Sequence, residues 1–598
     1  MTRWLAAGLV GCLASAVAML LQNGLRDTWQ IRSLPERVME WLLLFVPLDL
    51  FERGLAQLGA DAKEVALTGT VAGMAVALAA IGALVLAAGW RGWWLLGLGL
   101  GMWLVTMAVV MPITGAGLFA TGLLIDPLLT NAGYLVVFLG YATVLQGGRL
   151  LLSTRAGGLL PLATPARGGQ AASVTGGQAA SDGAEQRARQ TGGVMAERRA
   201  LLAGILGTLA AGGIAGYIGR EGGLAGSSLP LAAPPNPTRQ PSATGQPTTT
   251  ADQPTAVTQP QANPTEQPLP NPPPPRRLAR DKDGSLTAAG RARGELAPAV
   301  TANDDFYVVT KNAVQDPIVD AASWRLVIDG EVNRPVQLDY RTLRGLPSVE
   351  VTKTLECISN FTAECNLTTF GCDLISTARW RGARLHDVLD LAGGLKSSAV
   401  GLALLSSDEF SAGLPREVSD DPESLVVYEM NGQPLPREHG FPARLLVPGR
   451  YGMKNPKWLA GIRAMTQEYA GWYEQRNWNK DGIVKTMARI DVPADGAMLS
   501  PGVQRLAGIA YAGDRGISKV EFSVDDGATW QPARFLEPMA GKDAMVRWES
   551  SFALPARGKP TITVRATDGT GDVQTEEFQL PQPDGASGRA SISVSAAA

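Results

Sequence analysis

At 598 residues the chain is too long for a single hydrophobic core, so several domains are expected. Its 53 Lys and Arg against 55 Asp and Glu leave a formal net charge of −2, which offers no electrostatic argument for a nucleic-acid partner. That average joins two polymers: the first third is strongly apolar with few charges, and the last half alternates like an ordinary soluble β-rich protein.

Leu5–Leu21, Val65–Trp90, Gly92–Met111 and Tyr134–Leu145 with its apolar flanks form runs near the length that spans a bilayer. Trp90, Trp93, Trp94 and Trp103 gather around Arg91, as aromatics do at a membrane interface. Residues 1–148 are therefore predicted to be a multi-span helical membrane domain. Val38–Gly59 is broken by Pro47, Asp49, Glu52 and Arg53, which predicts an interfacial or re-entrant segment rather than a plain span.

Residues 149–199 are rich in Gly, Ala, Gln and Arg and repeat Gly-Gly-Gln-Ala-Ala-Ser, which predicts a flexible loop; its arginine excess puts it on the cytoplasmic side. Residues 200–219 form a Gly/Ala-rich anchor introduced by Glu197-Arg-Arg-Ala-Leu-Leu-Ala203. That flank reads either as a stop-transfer border with snorkelling arginines or as a stretch that resembles the twin-arginine export signal. Both readings place everything after Arg220 outside the cytoplasm. The membrane part has no histidine, so no b-type haem of its own is expected there.

Residues 220–295 are dominated by Pro, Thr, Gln and Asn, up to Pro272-Pro-Pro-Pro-Arg276, and predict an extended stalk. Folded sequence resumes with Phe306-Tyr-Val-Val-Thr310 and the strand pattern Trp324–Gly330. Apolar residues at helical spacing over Leu385–Leu391 predict one helix ended by Gly393-Gly394. The class of residues 296–484 is α+β with more β. Over 485–582, short strands such as Lys519–Val524, Val546–Phe552 and Thr561–Arg565, with a turn at Asp525-Asp-Gly527, predict an immunoglobulin-like β-sandwich. The last residues, 583–598, are expected to be a disordered tail.

There are four cysteines. Cys12 lies in an apolar run, and Cys365 and Cys372 are close enough to pair, which leaves Cys357 as a single thiol after a β-branched strand pattern and before a Ser-Asn turn. A lone cysteine is most often a small buried hydrophobe; the alternative is a thiolate ligand or nucleophile. His386 and His439 are the two histidines, and neither makes a pattern with Cys357 by spacing.

Four patches in order resemble the sulfite oxidase family of molybdenum-cofactor enzymes. They are Leu355-Glu-Cys-Ile-Ser-Asn360; Ala378-Arg-Trp-Arg-Gly382 with Leu385-His-Asp-Val-Leu389; Tyr428–Pro436 through His439-Gly-Phe-Pro442 to Val447-Pro-Gly449 and Lys457-Trp-Leu459; and Val520–Trp530. The resemblance covers roughly residues 303–580 and leaves out the membrane third and the stalk. It implies a molybdenum-molybdopterin cofactor with Cys357 as the metal ligand and Asn312, His439, Arg444, Lys454, Asn455 and Lys457 as cofactor-binding residues. It also implies Lys311 and Trp478 at the catalytic centre, a small-molecule substrate, an external cytochrome or quinone partner, and homodimerisation through the sandwich domain. Three departures stand out: Ala313 replaces a histidine, Thr362 stands where sulfite oxidases place an arginine, and Trp478 takes the position of their active-site tyrosine. Outside the cytoplasm Cys365 and Cys372 would form a disulfide.

The function expected is a membrane-anchored, extracytoplasmic oxidoreductase performing two-electron oxygen-atom transfer. The alternatives are a quinol-fed reductase of sulfoxide-like groups and a stalked binding protein that has lost its cofactor.

Overall fold

The computed structural model describes residues 2–46, 62–123, 127–155, 255–256, 270, 294–312, 316–363 and 373–597. The twin-arginine stretch, Ala313, Cys365 and Cys372, and nearly all of the predicted stalk lie outside them. The chain divides into a helical N-terminal unit and a β-rich C-terminal unit.

In the N-terminal unit, long runs of Leu, Ala, Val and Gly form helices α1 (Thr2–Trp29), α3 (Ala62–Ala87), α4 (Trp93–Val105) and α5 (Pro127–Arg155). A π-helical turn at Thr106–Val110 carries α4 on to Met111–Ile113. Among the described residues, four helices are long and apolar enough to cross a membrane: Trp4–Trp29, Glu64–Ala87, Trp93–Ile113 and Pro127–Leu151. Small residues let them approach closely, since a Cβ on Gly11 would meet Ala79 O at 2.4 Å. The short helix α2 (Leu34–Leu42) begins the stretch predicted as interfacial. Its N-terminus is closed by a capping box in which Ser33 N donates to Glu36 Oε2 at 2.7 Å.

In the C-terminal unit, β1 (Arg325–Gly330), β2 (Val336–Asp339), β5 (Gly401–Ser406), β6 (Ser411–Pro415) and β9 (Leu459–Met465) make one sheet in the order β2-β1-β9-β5-β6, with Thr255–Ala256 paired on β2. β9 runs parallel to β1 and antiparallel to β5. A second sheet orders β8 (Arg444–Leu446), β7 (Leu425–Met430), β4 (Ile375–Arg384) and β3 (Ser348–Glu356). One core joins Leu326, Ile328, Leu404 and Ile462 of the first sheet to Trp380, Val427 and Leu445 of the second. The predicted helix is present as Leu385–Asp390. Along β3 the residues pass from exposed to fully buried, so the strand ends inside the protein, and Cys357 follows there.

After residue 486 two antiparallel sheets face each other. β10 (Met487–Val492), β11 (Gly502–Tyr511) and β13 (Val546–Leu554) form one; β12 (Ile517–Ser523), β14 (Thr561–Asp568) and β15 (Ser591–Ser593) form the other. Leu506, Phe522, Trp548, Ile562 and Val564 fill the space between them. The expectation of a disordered tail from residue 583 is corrected here. Ser591–Ser593 pairs with Thr561–Thr563, and Ser595–Ala596 pairs with Met498–Leu499. Ile592 and Val594 are buried, and that apolar burial holds a segment whose Ser/Ala/Gly composition reads as loop.

Candidate functional site

The end of β3 fixes the thiol. Cys357 N donates to Leu374 O at 2.9 Å, and Cys357 O accepts from Asn360 N at 2.9 Å, which closes the Ser-Asn turn. The Asn360 side chain braces that turn from both ends: Nδ2 donates to Glu356 Oε1 at 2.8 Å and Oδ1 accepts from Leu374 N at 2.9 Å. Burial pushes the Glu356 carboxyl up to about 8, against the hydrogen bond from Asn360 and the field of Arg489. Cys357 is itself buried and lines a cleft.

The same cleft is lined by Lys311, Asp408, Glu438, His439, Arg444, Asn455 and Lys457. His439 closes a short turn stopped by Gly440 at φ 112°, where a Cβ would come within 3.0 Å of Lys457 Cα. Its ring meets Phe306 edge-on at 5.1 Å, with Nε2 3.3 Å from Asn303 O. Arg444, the first residue of β8, donates to His439 O (3.2 Å) and Asn455 O (2.9 Å) and lies 5.3 Å over the Trp380 ring. Burial lowers its guanidinium to about 10, and its Nε is buried with no hydrogen-bond partner among the described residues. Lys457 donates to Val309 O (3.1 Å) and Glu438 O (2.8 Å). Lys311 Nζ is 3.9 Å from Asp408 Oδ2, which also accepts from Asn312 Nδ2 at 3.2 Å.

Four of the expected site residues are placed otherwise; the first, Asn312, is absent from the lining and its Nδ2 donates to Asp316 Oδ1 and Asp408 Oδ2. Lys454 does not line the cleft; its buried ammonium donates to Gly413 O at 3.0 Å and pairs with Glu474. Asn455 lines the cleft, yet its side chain is spent on backbone, accepting from Val447 N and donating to Arg450 O and Tyr451 O. Trp478 lies outside the lining, packed edge-on against Tyr473 at 5.9 Å. Thr362 is buried, and its hydroxyl has no partner among the described residues.

Two tyrosines are among the residues that reach the site without having been singled out in the sequence. Tyr307 and Tyr473 both line the cleft. Burial first, and the Cys357 thiol second, push both phenols above their ordinary range. Phe306-Tyr-Val-Val-Thr310 has a strand-like pattern in sequence, and only the close approach of Gly452 to Tyr307 would have marked it. A Cβ on Gly452 would meet Tyr307 Oη at 2.9 Å.

The arrangement suits a soft metal carried on an anionic organic ligand. It offers one thiol, a buried guanidinium with an unpaired N–H, two ammonium groups, Lys311 and Lys457, and a carboxylate, Glu438, whose Oε2 has no partner among the described residues. The family model for the oxidoreductase molybdopterin binding domain matches residues 313–473, and that for the Mo-co oxidoreductase dimerisation domain matches residues 483–580. Sulfite oxidase from Arabidopsis thaliana is 30% identical over 331 residues, covering 47% of this chain and 83% of that protein. The chain belongs to the sulfite oxidase family. Mitochondrial sulfite oxidase from Mus musculus is 32% identical over 325 residues, and there the chain spans 57% of the relative's length. The sulfane dehydrogenase SoxCD from Paracoccus pantotrophus aligns at 22% identity over 52% of this chain and 85% of that one, with a TM-score of 0.42. The cofactor of this sulfite oxidase family domain is molybdenum held by molybdopterin.

Proposed function

We propose that the chain is a membrane-anchored molybdopterin oxidoreductase that transfers an oxygen atom, with two electrons, to or from a small substrate on the extracytoplasmic side. The observation that carries this is the buried Cys357 thiol in the wall of a cleft shared with His439, Arg444 and Lys457. When bound, the cofactor would supply two-electron oxygen-transfer chemistry. Cys357 would complete the metal's ligand set as thiolate, with Asn360 holding its turn in place. Arg444 and Lys457 would hold the pterin phosphate through charge-assisted hydrogen bonds. Phe306, Phe410 and Trp458 wall the cleft with apolar surface that keeps bulk water from the reacting group.

The four apolar helices support a membrane anchor, and the arginine-rich residues 149–199 support placing the catalytic unit outside. An external cytochrome or quinone then exchanges electrons with the cofactor. The C-terminal two-sheet domain is read as immunoglobulin-like and, from the dimerisation model it matches, as the contact of a homodimer. Expression of the full chain in a host that makes the cofactor should give about one molybdenum per chain, and Cys357→Ser should abolish oxygen transfer because a hydroxyl is a harder, weaker ligand. Full turnover by the serine variant would refute the reading, and degradation of the C-terminal unit only from the cytoplasmic side would refute its placement.

A further inference from the structure

The predicted stalk carries one short run with both β-branched and apolar character. Between Ile218 and Val300 the only Val or Ile is Val257, and it stands in Thr255-Ala-Val-Thr-Gln259, bracketed by Pro254 and Pro260. β-branched residues favour extended pairing, and a proline, which has no N–H to donate, stops a ladder at each end. Thr248-Thr-Thr250, upstream, is β-branched but polar throughout.

The first sheet of the C-terminal unit has an edge for such a run. At its far side β6 is covered from within the catalytic domain: Trp472 N donates to Ser411 O at 2.9 Å, and Tyr469 O leaves no room for a Cβ on Gly413. At its near side stands β2, a strand of 4 residues that follows Pro335 and pairs on its inner side with β1. An open edge offers N–H and C=O groups that a further chain can join, so what covers it matters. On β2 the cover is Thr255–Ala256, running parallel, with Thr255 opposite Val336 and Ala256 opposite Gln337. The pairing thus falls on the one run of the stalk whose composition suits a strand.

We infer that the outer edge of β2 is a strand-addition site whose occupant is the chain's own Thr255–Ala256, and that this contact fastens the stalk to the catalytic unit. Main-chain hydrogen bonds supply the hold, and the prolines on either side keep the added strand short. The consequence is for reach. The free chain after Arg220 ends at Pro254 rather than near Gly294, about half the length, so the catalytic unit is held on a shorter tether than the stalk by itself would give. Nothing in this depends on the cofactor or on the oxygen-transfer reading.

Two readouts on the full chain test this. In Ala256→Pro the amides of Val336–Asp339 should exchange with solvent about tenfold faster than in the parent, the effect of losing a hydrogen bond at an edge, while Thr249→Pro should leave them at the parent's rate. In Ala256→Cys with Gln337→Cys a short bismaleimide should join the two positions within one chain, as located by peptide mapping, and about tenfold more often than it joins Thr249→Cys with Gln337→Cys. Exchange unchanged by Ala256→Pro would overturn the inference. So would a link no more frequent than that of the Thr249 control, and so would a link formed between two chains, which would make the stalk of a second copy the occupant.

Discussion

Lys454 and Glu474 form an ion pair in which both side chains are almost completely buried, 1% and 5% exposed, and the pair ties the Tyr473 segment to the backbone of β6 through Gly413 O. Burial lowers the Lys454 pKa, and the partner carboxylate raises it again. Removing one partner leaves the other charged and buried, so Lys454→Met should destabilise the C-terminal unit by about 3–5 kcal/mol, and Lys454→Met with Glu474→Leu by much less. Denaturant unfolding of the two variants checks this. Equal losses would mean that the pair is not the unit that matters.

The two parts of the C-terminal unit meet through Asp543. Its carboxylate pairs with Lys353 of β3 at 2.5 Å and accepts from Tyr511 Oη at 2.6 Å, while its backbone O accepts from Thr354 N. Asp543→Ala should cost about 3–5 kcal/mol by stranding Lys353 in the interior. The same loss should be nearly absent when Lys353→Met is made with it, and thermal unfolding of the pair of variants decides.

Arg444→Lys and Lys457→Ala should lower cofactor occupancy with little change in turnover per bound molybdenum. A lysine cannot reproduce the fork that reaches His439 O and Asn455 O, and each charge-assisted contact is worth about 1.5–3 kcal/mol. Pterin fluorescence released from equal amounts of protein measures occupancy. Occupancy equal to the parent's would contradict the role given to these residues.

Much of this site could be read from residue order, because a strand pattern ending at Cys357 and the His439 to Lys457 run are local features. The strand is present as β3, and His439, Arg444 and Lys457 line the cleft. What could not be read depended on through-space packing. Lys454 and Lys457 sit three residues apart and look alike in sequence, but a 3-10 turn at Gly452–Lys454 buries the first against Glu474 and leaves the second in the cleft. Tyr473 and Trp478 were likewise indistinguishable until the turn Glu474–Arg476, ended by Asn477 at φ 62°, set which ring faces the cleft. The β-sheet tail was hidden because an edge strand of Ser and Ala carries almost no periodicity.

The Glu356 carboxyl gives the apo protein a pH signature. Its native pKa, about 8, lies above the ordinary carboxylate value, so the native state holds the proton more tightly than the unfolded chain. The stability this contributes is fully present below the unfolded value and is lost as pH rises through about 8. Glu356→Gln should flatten the fall in apo-protein melting temperature between pH 5 and pH 9, about the window that the shift spans. An unchanged slope would place the origin of that pH dependence elsewhere.

The role of Cys357 is tested most directly by molybdenum X-ray absorption on the loaded full-length chain and its Cys357→Ser variant. The parent should show the dithiolene sulfurs plus one further sulfur at bonding distance, and the variant one sulfur fewer with an oxygen in its place. Identical sulfur coordination in both would show that the thiol is not a ligand and would contradict the account.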